Sequence, residues 1–159
     1  MSTKSPRLWL VKSEPGEFSF QDLVDSPGKR THWDGIRNYQ VRNFIRDDIK
    51  RGDQILYYHS NAKPPGVVAT AEVVKEAYAD HTQFDPENKK FDPKSQQDSP
   101  TWLMFDMKAK RKLKSYVSLE SLKSNPKLDR MLVVQRGQRL SIQPVTQKEW
   151  DEVLSMGGL

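Results

Sequence analysis

The residues of this chain that could do chemistry gather in His32-Trp33-Asp34-Gly35-Ile36-Arg37-Asn38-Tyr39-Gln40-Val41-Arg42-Asn43-Phe44. Trp33 stands among polar residues, close to a glycine that lets the backbone turn or approach a ligand. Two readings fit it: a flat platform on which a base stacks, or a partly buried staple at the start of a helix. Catalysis has little support. His32, His59 and His81 lack close metal-ligand spacing, there is no cysteine to hold zinc or act as a nucleophile, and no Walker or Rossmann glycine pattern occurs. Asp34 lies near His32 in sequence, but adjacency alone does not make an acid–base constellation.

The elements that must position these groups can be read in chain order. Asn38 is the expected N-cap of a helix whose Val41, Phe44, Ile45 and Ile49 share one face, while Arg42, Arg46 and Lys50 occupy another. Strands are expected at residues 7–13, 54–59, 66–74, 101–108 and 140–145. The second and third form an antiparallel hairpin, and residues 131–134 add a further buried apolar run. Gly66, Ala69 and Ala71 imply a close neighbour along the third strand. Ser19 caps a short helix, Ser118 caps a second, and Thr146 with Glu149 makes a capping box for a C-terminal helix. About six short strands with helices in the connections argue for a mixed α+β domain built on a strongly bent sheet or small barrel.

At 159 residues the chain suits one domain, residues 1–159, large enough for a core without disulfides or metal. No run approaches the roughly 18 apolar residues a membrane span needs, and Met1 to Arg7 leads into a short strand rather than a signal-peptide core. A cytoplasmic, monomeric protein without cofactor or membrane partner is expected. The net charge of +5 favours a polyanionic partner. Basic residues cluster in 29–51 and again in 108–115, whereas 79–100 leans acidic and reads as a polar surface excursion made of turns.

Trp9 to Pro15, Trp33 to Phe44, Tyr58 to Ser60, Pro65 to Ala69 and Val134 to Ser141 together resemble the EVE domain family, over about residues 7–155. The resemblance implies a PUA-like pseudo-barrel of about six mostly antiparallel strands and a non-enzymatic role in recognising modified bases of DNA or RNA. It places a pocket between the loop before the helix and the ends of two strands, at Trp33, Lys12, Ser13, Tyr58, His59 and Ser60. An extruded base needs an aromatic surface, polar groups at its edge and cations for flanking phosphates. Trp33 would then stack, Ser13, Asn38, His59 and Ser60 would meet the base edge, and Tyr58 and Trp102 would complete the aromatic pocket. Lys12, Arg37, Arg42 and Arg46 would hold phosphates. The alternatives are a peptide- or small-ligand-binding adaptor using the same pocket and, with less support, a nucleic-acid-processing enzyme.

Overall fold

The computed structural model describes residues 7–159, so the expectation about a signal peptide in the first six residues lies outside the described part. Six strands form one sheet: β1 (Leu8–Ser13), β2 (Arg30–Trp33), β3 (Gln54–His59), β4 (Gly66–Ala79), β5 (Leu103–Ser118) and β6 (Ile142–Val145), in the spatial order β2-β5-β4-β3-β1-β6. β1 runs parallel to β3 and every other pairing is antiparallel. The expected mixed α+β, PUA-like architecture is the one observed. Among the described residues, no helix is long and apolar enough to cross a membrane.

Alternation along the strands sends side chains to two cores, one on each face of the sheet. Trp9, Val11, Ile55, Tyr57, Phe105 and Met107 pack with Phe20 and Leu23 of α2 (Phe20–Asp25) and with Val41 and Ile45 of α3 (Tyr39–Asp47). Leu10, Leu56, Tyr58 and Val67 pack on the other face with Leu122 of α4 (Leu119–Ser124) and with Trp150 and Val153 of α5 (Gln147–Met156). Burial of so many large apolar groups, at roughly 1.5–3 kcal/mol each, is the main force closing both layers.

The helix starts follow local chemistry. Asn38 accepts from the Val41 amide at 3.0 Å, and Ser19 and Thr146 form complete capping boxes with Asp22 and Glu149. The close approach expected at the third strand is present, since a Cβ on Gly66 would clash with the Val117 carbonyl oxygen.

Four elements differ from the sequence expectation or go beyond it. Trp33 lies not in a loop but at the end of β2, a short edge strand paired with β5. Residues 132–134, expected only as part of a buried apolar run, form a single 3-10 turn. β4 and β5 are much longer than expected, reaching Ala79 and Ser118, and the Lys-rich segment is itself strand. The β4–β5 pairing shifts register four times, bending this long ribbon as extra residues are absorbed.

The segment between β4 and β5 carries a polar core of its own. Buried Gln83 donates to the carbonyls of Asp80 and Trp102, and accepts from the Trp102 amide and the Ser95 hydroxyl. Turns therefore make up most of the excursion, as expected, but they are tied down at its base.

Candidate nucleic-acid interface

A cleft of about 390 Å³ opens where β1 ends beside β2, lined by Ser13, Glu17, Phe18, Thr31, His32, Trp33 and Asp34. Its volume falls within the range usual for small-ligand sites. Glu17 and Phe18 arrive on α1 (Pro15–Phe18), the single turn that follows β1 because Pro15 suits a first helical position. Trp33 is half-buried. Its indole meets Phe18 edge-on at 6.1 Å and Tyr57 edge-on at 5.9 Å, so it is supported from behind without being enclosed.

The polar groups behind the cleft are already ordered. Ser13 Oγ and Tyr57 Oη both donate to the Phe18 carbonyl oxygen, the latter at 3.0 Å. Burial pushes the Tyr57 phenol up to about 12, which keeps it a donor at neutral pH. His59 sits behind Tyr57, with ring centroids 5.9 Å apart, and its Nε2 accepts from the Phe20 amide at 3.1 Å. Burial lowers its pKa, and this bond requires neutral Nε2, so the imidazole is held in the tautomer protonated at Nδ1. His59 lies outside the cleft lining. The Ser60 amide donates to the Ser13 carbonyl at 2.9 Å and joins the two strand ends.

The structure thus brings Trp33 and Ser13 together and puts His59 and Ser60 close behind, while other residues assigned to the pocket fall elsewhere. Tyr58 is on the opposite face of the sheet, 3% exposed in the core with Leu10 and Leu56, because side chains alternate and Tyr57 takes the cleft side. Trp102 is 5% exposed; its Nε1 donates to Asp92 at 2.8 Å and its ring packs on Tyr39, so it anchors the excursion instead of lining the cleft. Asn38 is exposed and its side-chain oxygen is committed to the helix cap.

The cations expected at phosphates also divide. Arg37 spends all five guanidinium N–H groups inside the protein: Nε and Nη2 on the Lys90 carbonyl, Nη1 on the Ile36 carbonyl and Asp80, and Nη2 again on Thr82 Oγ1. It is an anchor, and its place before the cap gave no sign of this because all its partners but Ile36 lie more than 40 residues away. Arg42 donates to the Thr101 carbonyl and to Asn43 and lies over the Tyr39 ring. Arg46 is exposed and paired with Asp47. Lys12 is half-buried, its pKa lowered by that burial, and alternation sends it to the face opposite Ser13.

Asp80 ties these loops together. It is fully buried and accepts from the Thr82 hydroxyl and amide, from the Gly35 amide at 2.7 Å and from Arg37 at 3.2 Å. Burial alone would raise its pKa, but the bonds from Thr82, Gly35 and Arg37 outweigh it and hold the carboxyl below its usual range. Gly35 adopts φ +79°, a left-handed conformation that suits glycine and turns its amide to this carboxylate.

Sequence reasoning missed Phe18, Glu17 and Tyr57 as parts of the site. The available signal was Phe18-Ser19-Phe20, where a cap residue stands between two aromatics and only the second is required by the helix. Lys89 and Lys90, in the segment read as acidic, border an adjoining groove with Glu14, Glu17, Asp34 and Gly35.

A mixed sheet covered on both faces, with an aromatic cleft between the end of β1 and the end of β2, defines a PUA-like α+β domain with a ligand-sized recess. The chain belongs to the EVE domain family, whose model matches residues 7–156. It is 45% identical to human thymocyte nuclear protein 1 over 165 residues, an alignment covering 93% of this chain and 72% of that protein. The crystal structure of human THYN1 in complex with 5-methylcytosine-containing DNA superposes with a TM-score of 0.89 at 44% identity, covering 96% of this chain and 98% of that one. A Pseudomonas syringae protein of known structure gives a TM-score of 0.88 at 39% identity, covering 94% and 99% of the two chains.

Proposed function

We propose that this protein is a non-catalytic reader that takes a modified base of nucleic acid into the cleft beside Trp33. The observation that carries the reading is the half-exposed indole, held edge-on by Phe18 and Tyr57 at the wall of a cleft of about 390 Å³. Such a surface accepts the face of an extruded base, worth roughly 1–3 kcal/mol. Glu17 and Asp34 line the same cleft, and carboxylates accept from an exocyclic amine such as N4 of cytosine. The complex of human THYN1 with 5-methylcytosine-containing DNA supports a modified cytosine as the ligand.

Ser13 supports binding over catalysis, since it donates its proton to a backbone carbonyl and not to a base that would activate it. A methyl group buried against the aromatic wall adds about 0.8 kcal/mol, close to a fourfold preference. Shape and unpaired polar groups must supply any greater discrimination. Arg46, Lys89 and Lys90 are the cations we assign to flanking phosphates, with Lys12 at the far side of the strand end.

Fluorescence titration of oligonucleotides with and without 5-methylcytosine, at two salt concentrations, tests the reading. Binding weakens as salt rises, and Trp33→Ala removes the preference for the methylated strand more than it removes overall affinity. Retained preference in Trp33→Ala refutes the cleft assignment, and absence of oligonucleotide binding at low salt refutes the function. The same titration with RNA decides between ribose and deoxyribose.

A further inference from the structure

Among the described residues, His32, Asp34 and His81 are the group whose possible metal-ligating atoms converge, all lying within 4.8 Å of one another. They come from separate elements: His32 from β2, Asp34 just past its end, and His81 from the 3-10 turn His81–Phe84 that opens the excursion. His32 Nε2 lies 3.4 Å from Asp34 Oδ2, and the two imidazoles meet edge-to-face at 5.1 Å. Neither imidazole makes a hydrogen bond to another described group, so their ring nitrogens remain open for coordination. The backbones beneath them are fixed. β2 is paired to β5, and His81 is flanked by Asp80 and Thr82, both buried and bonded to each other. Asp106, opposite His32 in the register, is occupied by Arg30 and Tyr78 and does not compete.

We propose that His32, Asp34 and His81 form a binding site for a borderline divalent transition-metal ion of the Zn²⁺ or Co²⁺ class. Two imidazoles and one carboxylate are the donor set such ions favour, whereas Mg²⁺ and Ca²⁺ prefer oxygen donors. Bonds of about 2.0–2.1 Å in tetrahedral geometry put ligand atoms about 3.3 Å apart. The His32–Asp34 pair already has that separation, and rotation of the exposed His81 side chain closes the remainder. The site has three protein ligands and an open fourth position, and it joins the Trp33 strand to the excursion. It shares His32 and Asp34 with the rim of the base-reading cleft, but its test reads metal binding alone and does not depend on the base-reading function.

The experiment uses chelator-stripped, tag-free protein titrated with Zn²⁺ by calorimetry and with Co²⁺ by visible absorption. One equivalent binds, and the Co²⁺ spectrum shows low-coordinate nitrogen–oxygen ligation. His81→Ala and His32→Gln each weaken binding by at least the roughly 10–100-fold that loss of a mere outer-sphere partner costs. His59→Gln, which changes the remaining histidine, leaves it unaltered. No binding below millimolar metal, binding unaffected by His81→Ala and His32→Gln, or equal binding of Mg²⁺ overturns the proposal.

Discussion

Replacing Arg37 with alanine separates two roles that its place in the sequence leaves equally open, phosphate contact and internal anchor. The structure assigns its five donors to Lys90, Ile36, Asp80 and Thr82, with its guanidinium carbon also 5.4 Å from the centre of the Trp102 ring. Truncation leaves the fully buried Asp80 carboxylate without its cation. Breaking one side of a buried ion pair costs about 3–5 kcal/mol. Asp80 keeps its bonds from Gly35 and Thr82, so the expected loss is near the lower end, about 3 kcal/mol. For a domain of this size that lowers Tm by about 6–12 °C. Arg37→Lys restores charge but not the fork that spans four acceptors, and recovers only part of the loss. Urea unfolding and the salt dependence of oligonucleotide binding are measured on the same proteins. A phosphate contact predicts the opposite pattern: unchanged unfolding and a salt slope smaller by about 0.9. That result would refute the anchoring argument.

Three further outcomes follow from the geometry. Tyr58→Phe leaves oligonucleotide affinity and methyl preference unchanged in the fluorescence titration, because Tyr58 belongs to the core on the far face. Gly66→Ala destabilises the fold by about 1–3 kcal/mol in urea, since its Cβ would meet the Val117 carbonyl and Ser118 backbone. His59 titrates at lower pH when folded than when unfolded, so its contribution to stability is complete above the ordinary imidazole pKa of about 6.5. That contribution is lost as pH falls from there toward the lowered folded value. Thermal melts between pH 7.5 and 5 show the loss, and His59→Gln removes this part of the pH dependence.

What could be read from the sequence was what local chemistry decides. The caps at Ser19, Asn38, Ser118 and Thr146 depend on residues three positions apart and were all legible. The strand carrying Trp33 was not. Arg30-Thr31-His32-Trp33 is an edge strand with one neighbour, and with no buried face its alternation carries no apolar signal. Met131 to Val134 shows the converse case, a short buried apolar run that periodicity alone cannot assign to strand or turn. At the cleft, Trp33 and Ser13 were legible as a pair. Tyr58 was misplaced because a Tyr-Tyr pair gives no clue to which ring faces which core until the strand's neighbours are known. Arg37 shows the largest limit. A basic residue before a helix looks the same whether it waits for phosphate or saturates acceptors contributed from 43 to 53 residues away.

The cleft is therefore held from two directions, and the two supports have separable effects. Behind Trp33, the rings of Phe18 and Tyr57 and the pairing with β5 fix the indole. In front, the chain leaving Trp33 is held by the Gly35 amide on Asp80, a residue of the excursion. Asp80→Asn keeps the shape but replaces one acceptor oxygen with a donor, leaving the Gly35 or Thr82 amide unsatisfied at about 1–3 kcal/mol. The indole keeps its support while the rim at Asp34 and Gly35 loosens. Affinity for methylated and unmethylated oligonucleotides should fall in parallel, with faster dissociation and unchanged preference, since pre-organisation of the rim serves both ligands alike. Stopped-flow dissociation compared with Trp33→Ala distinguishes the supports. An Asp80→Asn protein that loses methyl preference as Trp33→Ala does would show that the excursion, and not the aromatic wall, sets the position of the reading surface.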